Sequence, residues 1–262
     1  MVDMHIIYST RDPAGSLISK NLKEKDPDRF EEGRFLTKTD SSLLDSDELA
    51  NSIKTDFLVF ASKHKSESGK PSLTVHVPGN WASAEMGGKE GQISWSDPMK
   101  MKALAFGLSR IAHERGIEKE TAVTMEVDHH GPLSHSPCAF VEVGSTMKEW
   151  EDERYSEAVA EAIYRIEDYL KEIEVKKVAV GVGGGHYCPA FNKGEIEGDV
   201  AFAHIVPNYA APKLEYETFI QAFERTTEEV EEVLIDWKGL KQQERDKIIG
   251  YCGRYGAEWK RA

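Results

Sequence analysis

The chain alternates short apolar runs with amphipathic stretches, and this alternation restricts its fold more than any other feature. Strand-like runs occupy residues 4–8, 56–62, 72–77, 121–127, 138–143, 177–182 and 199–206. Strands that alternate with helices are typical of α/β proteins. The pattern therefore predicts an α/β fold with a largely parallel or mixed central sheet and helices on both faces.

Helix boundaries are marked by residues with known capping preferences. We predict a helix over residues 16–25 and another that starts at Pro98, where the missing N–H costs nothing, and ends at Gly116. Thr146 and Glu149 have the spacing of a capping box. A long acidic helix is expected over 215–237, followed by a last helix to about residue 252. Pro189 argues against a helix directly after Gly183, Gly184 and Gly185.

Size and composition indicate a globular protein of the cytoplasm. The chain has 262 residues, of which 40% are hydrophobic and 30% charged, enough for one domain with a full core. It contains no apolar run of membrane-spanning length and no basic start typical of a signal peptide. The 3 cysteines lie far apart, which excludes a disulfide framework and fits a reducing compartment.

Charge is distributed unevenly along the chain. The formal net charge is −13, whereas nucleic-acid-binding surfaces are usually basic. Residues 237–262, however, carry seven basic and three acidic side chains and so hold a local excess of positive charge. This basic C-terminal helical segment fits either contact with a polyanion or an ordinary solvated helix face.

Six of the 9 histidines fall at or near the carboxyl ends of predicted strands, where ligands bind in open α/β sheets. They are His64, His76, His129, His130, His186 and His204. One pocket could collect them. His76 and His204 lie inside apolar strands, so their default interpretation is as core histidines with hydrogen-bond partners.

Two local sequence patterns can each be interpreted either as part of a functional site or as ordinary structure. His129 and His130, with Glu126 nearby, are compatible with a metal site if the chain bends at Gly131, and equally with two exposed loop histidines. His186 follows three glycines, whose bare backbone allows close approach of a ligand and N–H donation to an oxyanion or phosphate. The alternative for His186 is a tight turn with an incidental histidine.

Five ordered motifs together are more specific than any single one. They are Lys63-His64-x-Ser66-x-Ser68-Gly69-x-Pro71, Thr74-Val75-His76-x-Pro78-Gly79-Asn80, Glu126-x-x-His129-His130-Gly131-Pro132, Val180-Gly181-x-Gly183-Gly184-x-His186-Tyr187-x-Pro189 and His204-Ile205-x-Pro207-x-Tyr209. In order and spacing they resemble the archaeal and plant type of D-aminoacyl-tRNA deacylase over essentially the whole chain.

The resemblance implies a phosphorylase/hydrolase-like fold, with residues 1–262 as a single deacylase domain. It implies hydrolysis of the ester between a D-amino acid and the 3′ end of tRNA, with zinc as cofactor. We expect tRNA, contacted at its 3′ end and acceptor stem, to be the partner of a monomer, without a role for DNA or membranes. The basic segment 237–262 is the candidate surface for the acceptor stem.

Roles for individual residues follow from this interpretation as hypotheses. We predict His129, His130 and His186 as metal ligands, because a metal-bound water would supply the nucleophile. Glu126 is the predicted general base or ligand orienter, and His64 a second catalytic group or reserve ligand. The predicted substrate-binding residues are Lys63, Asn80, Gly183, Gly184, Gly185 and Tyr187.

Three other functions remain open at this point. A zinc-dependent peptidase or amidase would use the same histidines on the same scaffold. A non-catalytic RNA-binding module is disfavoured by the net charge of −13 and by the lack of interleaved aromatic residues. A phosphorylase-type nucleoside enzyme is supported by fold analogy alone.

Overall fold

A mixed six-stranded sheet forms the centre of the computed structural model, which describes residues 2–262. Its strands are β1 (Met4–Ser9), β2 (Leu36–Thr39), β3 (Phe57–Lys65), β4 (Ser72–His76), β7 (Ala122–Met125) and β8 (Cys138–Ser145). They lie in the order β2-β1-β3-β8-β4-β7. All neighbours are parallel except β4 and β8, which run antiparallel. The expected α/β class with a mixed sheet is confirmed.

A second sheet of four parallel strands packs beside the first. It contains β9 (Lys177–Val182), β10 (Val200–Val206), β11 (Glu232–Ile235) and β12 (Glu258–Arg261), in the order β10-β9-β11-β12. A short antiparallel pair, β5 (Gly79–Asn80) with β6 (Gln92–Ile93), follows β4 in the chain. The largest buried apolar cluster includes Val141 from the first sheet and Ala179 and Phe202 from the second. The two sheets therefore share a core.

Helices connect the strands, and their caps match the sequence signals. The helices are α1 (Pro13–Lys25), α2 (Asp47–Ser52), α3 (Pro98–Glu114), α4 (Met147–Trp150), α5 (Glu153–Tyr164), α6 (Ile166–Glu172), α7 (Pro189–Ile196), α8 (Tyr216–Phe219), α9 (Gln221–Glu224) and α10 (Gln242–Tyr255). Asp97 caps α3 by accepting from Lys100 N. The capping box of Thr146 and Glu149 is present. Within residues 2–262, every helix is too short or too polar to traverse a lipid bilayer.

The two faces of the first sheet are covered differently. Along β3, Phe57, Val59 and Ala61 belong to the core that contains α1, α3 and α5, whereas Leu58 and Phe60 point to the other face. That second face is covered by a short turn at Leu43 and by α2, which leave part of it accessible. An opening of this kind allows a ligand to reach the sheet.

Two predictions about the chain are wrong. The helix expected over 215–237 is replaced by α8, α9 and β11, because pairing with β9 buries Val233 and Ile235 in the sheet and overrides helix propensity. As predicted, the residues directly after the three glycines are not helical, and α7 begins only at Pro189, since proline suits the first helical position. The segment 237–262 is not wholly helical, because its last residues form β12 beside β11.

Candidate active site

The floor of the site is the partly open face of the first sheet. Side chains alternate between faces along a strand, so His64 on β3, Glu142 on β8 and His76 on β4 share the face of Phe140. The His76 ring stacks on Phe140 with centroids 5.2 Å apart. Because β4 runs antiparallel to β8, these residues meet over the sheet. The expected position at a common carboxyl edge is therefore wrong for this part of the site.

The segment that follows β7 joins the two sheets and carries the next group of residues. Glu126 N donates to Val75 O, and Val127 N donates to His186 O at 3.0 Å. Asp128 N donates to Ile205 O of β10 at 2.9 Å. These backbone hydrogen bonds fix Glu126 beside the sheet and bring the loop of His186 next to it.

A bend in the backbone brings His129 and His130 to the same side. His130 has φ +47°, in the left-handed region that residues other than glycine rarely adopt. The two rings consequently lie 4.2 Å apart rather than on opposite sides of an extended strand. The bend expected near Gly131 is thus present one residue earlier, and both imidazoles reach one cluster.

The glycine loop after β9 carries His186 and Tyr187. Gly183 and Gly184 have φ values of +107° and +81°, which explains the requirement for glycine at these positions. Gly183 N already donates to Val206 O, so its N–H is not available to a ligand. The Tyr187 hydroxyl lies 2.9 Å from His64 Nε2 and orients that ring.

Glu126 is the central group of the cluster. Its Oε1 lies 3.0 Å from His64 Nδ1, and its Oε2 lies 3.0 Å from His186 Nε2 and 3.5 Å from His129 Nε2. The carboxylate is almost fully buried, yet neither oxygen forms a hydrogen bond of acceptable geometry within residues 2–262. Buried carboxylate oxygens are rarely left in this state. They are therefore oriented to receive a proton or a cation.

Two residues of the cluster, Glu142 and His76, are not among the predicted site residues, and His76 was expected to be a core histidine. Glu142 Oε2 lies 3.6 Å from His64 Nδ1 and 3.5 Å from His76 Nε2. A signal was present in the sequence, because Glu142 interrupts an otherwise apolar strand in which all eight residues are buried. A charged residue in such a strand needs a partner or a function.

The electrostatics divide the cluster into a charged and a neutral part. Burial lowers the pKa of His64, but the carboxylates of Glu142 and Glu126 more than offset this and raise its pKa to about 10. Burial and the neighbouring imidazoles hold the pKa of His129 well below its ordinary value, and burial lowers the pKa of His130 to about 4. At neutral pH His129 and His130 are therefore uncharged, the form in which imidazole binds metals.

Backbone carbonyls accept a hydrogen bond from Nδ1 of three imidazoles. Nδ1 of His76, His129 and His130 lies 3.2, 2.8 and 2.6 Å from Val77 O, Val127 O and Gly131 O. A carbonyl can only accept, so each Nδ1 carries a hydrogen, which leaves a lone pair on Nε2 of His129 and His130. This arrangement is typical of histidines that bind a metal through Nε2. Nε2 of His76 instead faces Glu142 Oε2 at 3.5 Å. Burial lowers the pKa of His76, but Glu142 raises it by more, so this nitrogen carries a hydrogen as well.

The cluster opens into a cavity of about 530 Å³. Its lining includes His64, His129, His130, Glu142 and His186 together with three cationic side chains, Arg11, Lys63 and Lys65. None of these three cations forms a salt bridge in the part of the chain that the structure describes. Lys63 Nζ instead lies 5.2 Å from the centre of the Trp150 ring. The mouth of the cavity is therefore suited to an anionic ligand.

The structure brings most of the predicted site residues together. Glu126, His64, His129, His130, His186, Tyr187 and Lys63 surround one cavity or contact its lining. Asn80 instead donates through Nδ2 to Gly87 O at 2.9 Å, behind the lining. His204 stands apart and bonds to Asp128 at 2.7 Å, as expected of a core histidine.

The donors present fit a zinc ion. Ligand atoms lie within 4.8 Å of one another in two groups that contain the predicted ligands, His64 with Glu126 and His186, and His76 with His129 and His130. A third group, His76 with Glu126 and Glu142, overlaps both. The oxygens of Glu126, which accept no hydrogen bond of acceptable geometry within residues 2–262, and the Nε2 lone pairs of His129 and His130 both favour a cation. The three predicted ligands are divided between the first two groups.

Comparison with known proteins gives a consistent picture. The family model described as D-aminoacyl-tRNA deacylase matches residues 51–260. A curated protein of this name from Pyrococcus furiosus is 40% identical over 208 residues, which cover 79% of this chain and 74% of the relative. One from Thermococcus onnurineus is 32% identical over 278 residues, covering 98% of this chain and all of the relative.

The fold has a solved counterpart as well. A crystal structure described as a conserved protein of unknown function aligns with a TM-score of 0.87 and 29% identity, over 99% of this chain and 95% of the other. The match of the family model and the identities of 30–40% with archaeal relatives agree on the family of this chain. This chain belongs to the D-aminoacyl-tRNA deacylase family.

Proposed function

We propose that the protein hydrolyses the ester bond of D-aminoacyl-tRNA and releases a free D-amino acid and tRNA. The observation that carries this proposal is a cluster of five imidazoles and two buried carboxylates, of which four imidazoles and one carboxylate line a cavity with a cationic mouth. Its relatives from several archaea are named for the same activity. We further propose that residues 1–262 act as one deacylase domain, as a monomer in the cytoplasm.

We propose zinc as the cofactor, held by residues of the two donor groups. His129, His130 and His186 remain the predicted ligands, and the geometry adds Glu126 as a candidate. His64 and His76 face Glu142 and would have to lose a proton before they could bind the ion. Bound zinc would supply Lewis-acid chemistry, which polarises a water or an ester carbonyl. Glu142 lies beside His64 and balances the positive charge of its imidazole.

Glu126 is the proposed general base. Its Oε2 lies between His129 Nε2 and His186 Nε2, at 3.5 and 3.0 Å, and can accept a proton from a water in the cavity. Tyr187 keeps His64 in place through its hydroxyl. For the tetrahedral oxyanion we propose the N–H groups of Gly184 and Gly185, since that of Gly183 is already bonded to Val206 O.

We propose that two cationic surfaces of the protein bind tRNA. Arg11, Lys63 and Lys65 border the cavity and are placed to meet phosphates of the 3′ end. The basic C-terminal segment lies beside the glycine loop, because β9, β11 and β12 are parallel and their carboxyl ends share one edge. We therefore propose that the acceptor stem lies next to the cavity.

The proposal is tested with purified protein and matched substrates. We expect release of D-tyrosine from D-tyrosyl-tRNA, with L-tyrosyl-tRNA hydrolysed at least about tenfold more slowly. A D-tyrosyl peptide is the comparison for a peptidase or amidase and should not be cleaved. Faster cleavage of the peptide than of the tRNA ester would contradict the proposal, as would binding of tRNA without turnover.

A further inference from the structure

The cavity has an apolar wall that the chemistry described so far does not use. Leu43, Leu44 and Met86 contribute to its lining, while most other lining residues are polar or charged. Leu43 is anchored in the small core of Phe60 and Phe140. Met86 is 57% exposed and lines the cavity, so a ligand in the cavity can contact its side chain.

This wall is a fixed part of the structure. A Cβ on Gly87 would lie 1.9 Å from Leu44 O, so the two loops are in direct backbone contact. Gly131 N donates to Met86 O at 2.9 Å, and Asn80 Nδ2 donates to Gly87 O at 2.9 Å. The loop of Met86 is therefore held on one side by Leu44 and on the other by the residue that follows His130.

Four imidazole rings form a row along the cavity. The His130 and His129 rings lie 4.2 Å apart, His129 and His186 4.5 Å, and His186 and His64 5.5 Å. The apolar wall joins this row at His130 through Gly131. Lys63 and Lys65 precede and follow His64 on β3, and both contribute to the lining of the cavity at the other end of the row. The lining thus changes from apolar to cationic along the line of imidazoles.

We propose that Leu43, Leu44 and Met86 form the subsite for the side chain of the esterified amino acid, with preference for large apolar and aromatic side chains. This inference rests on the proposed function. In an aminoacyl ester, the amino-acid side chain and the ribose phosphate lie on opposite sides of the reacting carbonyl. A substrate with its side chain on the apolar wall and its phosphates at Lys63 and Lys65 places that carbonyl over His129 and His186.

The Met86→Ala variant tests this subsite. Because Met86 is exposed, its removal leaves the core intact. We expect kcat/KM to fall about tenfold for D-phenylalanyl-tRNA and D-tyrosyl-tRNA, as for the loss of an apolar contact in a pocket, and less than twofold for D-alanyl-tRNA. Leu44→Ala should show the same selectivity, and Met86→Leu should retain wild-type ratios.

Met147→Ala is the matched control, since Met147 is 52% exposed and does not line the cavity. It should leave all three substrates unchanged. An equal loss for D-alanyl-tRNA and D-phenylalanyl-tRNA in Met86→Ala, or no loss for either, overturns the subsite while the deacylase function stands. Failure of the wild-type protein to hydrolyse any of the three substrates overturns both.

Discussion

The carboxylate of Asp128 accepts a hydrogen bond from His204 Nδ1 at 2.7 Å, behind the imidazole cluster. Its second oxygen accepts from Ile205 N at 2.9 Å. Both side chains are almost fully buried, and burial raises the pKa of Asp128 although His204 acts in the opposite direction. This pair fastens the segment of Glu126 and His129 to the second sheet.

Replacement of Asp128 by alanine should therefore destabilise the protein and disturb the site. His204 Nδ1 and Ile205 N would both lose their partner in the interior, for which we expect about 3 kcal/mol in the free energy of unfolding. Urea denaturation measures this loss. Asp40→Ala, at an exposed position, is the control. A loss below about 1 kcal/mol would show that the pair does not hold the segment.

Replacement of Glu126 by glutamine should reduce the chemical step by about 10² to 10³, because the amide retains the size of the side chain but cannot accept a proton as a base. Single-turnover deacylation at saturating protein isolates this step from tRNA binding. The exposed Glu151 offers a control in Glu151→Gln, which should be silent. Near-normal rates for Glu126→Gln would remove this residue from the proton transfer.

Loss of an imidazole from either donor group should lower the zinc content. We expect His186→Ala and His129→Ala each to retain less metal than wild type after dialysis against a mild chelator, as measured by mass spectrometry of the metal. His113→Ala is a suitable control, because the His113 side chain is 80% exposed and lies outside both donor groups. Unchanged stoichiometry in both site variants would argue against these ligands.

The strands were predictable because their apolar runs are local signals. The predicted strand over 177–182 coincides with β9, and the other six predicted strands overlap the observed ones. β11 was not predictable in this way, since Glu228, Glu229, Glu231 and Glu232 give its neighbourhood a helical, acidic appearance. Only pairing with β9, which is distant in the chain, determines that this segment is extended.

The site was partly predictable for a related reason. His129, His130 and His186 lie in loops with Gly and Pro neighbours, which single them out in the sequence. His76 has the same sequence context as a core histidine, and only the antiparallel pairing of β4 with β8 brings it to Glu142. The apolar wall at Met86 depends on backbone contacts between three loops that no local pattern contains.

Recognition of tRNA by the basic segment should depend on three of its seven cations. Arg254 and Lys260 form salt bridges with Glu217 and Glu232, and Arg245 and Lys247 donate to backbone carbonyls. Lys238, Lys241 and Arg261 have no salt bridge within residues 2–262. Reversing the charge of these three should weaken tRNA binding and reduce its salt dependence.

Filter binding of tRNA at several salt concentrations measures this effect. We expect the slope of log K against log salt to decrease by about two to three for the triple variant. The control for the same change in net charge reverses three exposed cations outside the segment, in Lys54→Glu, Lys119→Glu and Lys171→Glu. A slope that stays at its wild-type value would exclude the segment as the contact surface.

The stability of the protein should depend on pH through Glu195 at the end of α7. Burial raises the pKa of Glu195 to about 8, although the nearby Lys102 acts to lower it. A carboxyl whose pKa is higher in the folded than in the unfolded chain stabilises the fold at low pH. That contribution is lost as the pH rises from about 4.5 to about 8.

The Glu195→Gln variant should remove this dependence, because the amide keeps an acceptor for Phe202 N, which donates to Glu195 at 2.7 Å, and carries no charge. We expect the variant to unfold at close to the wild-type temperature at pH 5 and at a higher temperature than wild type at pH 8. Calorimetry across this range measures the difference. Glu197→Gln, at an exposed position on the same helix end, should follow the wild-type curve. Parallel curves for wild type and Glu195→Gln would mean that Glu195 keeps its ordinary pKa in the folded protein.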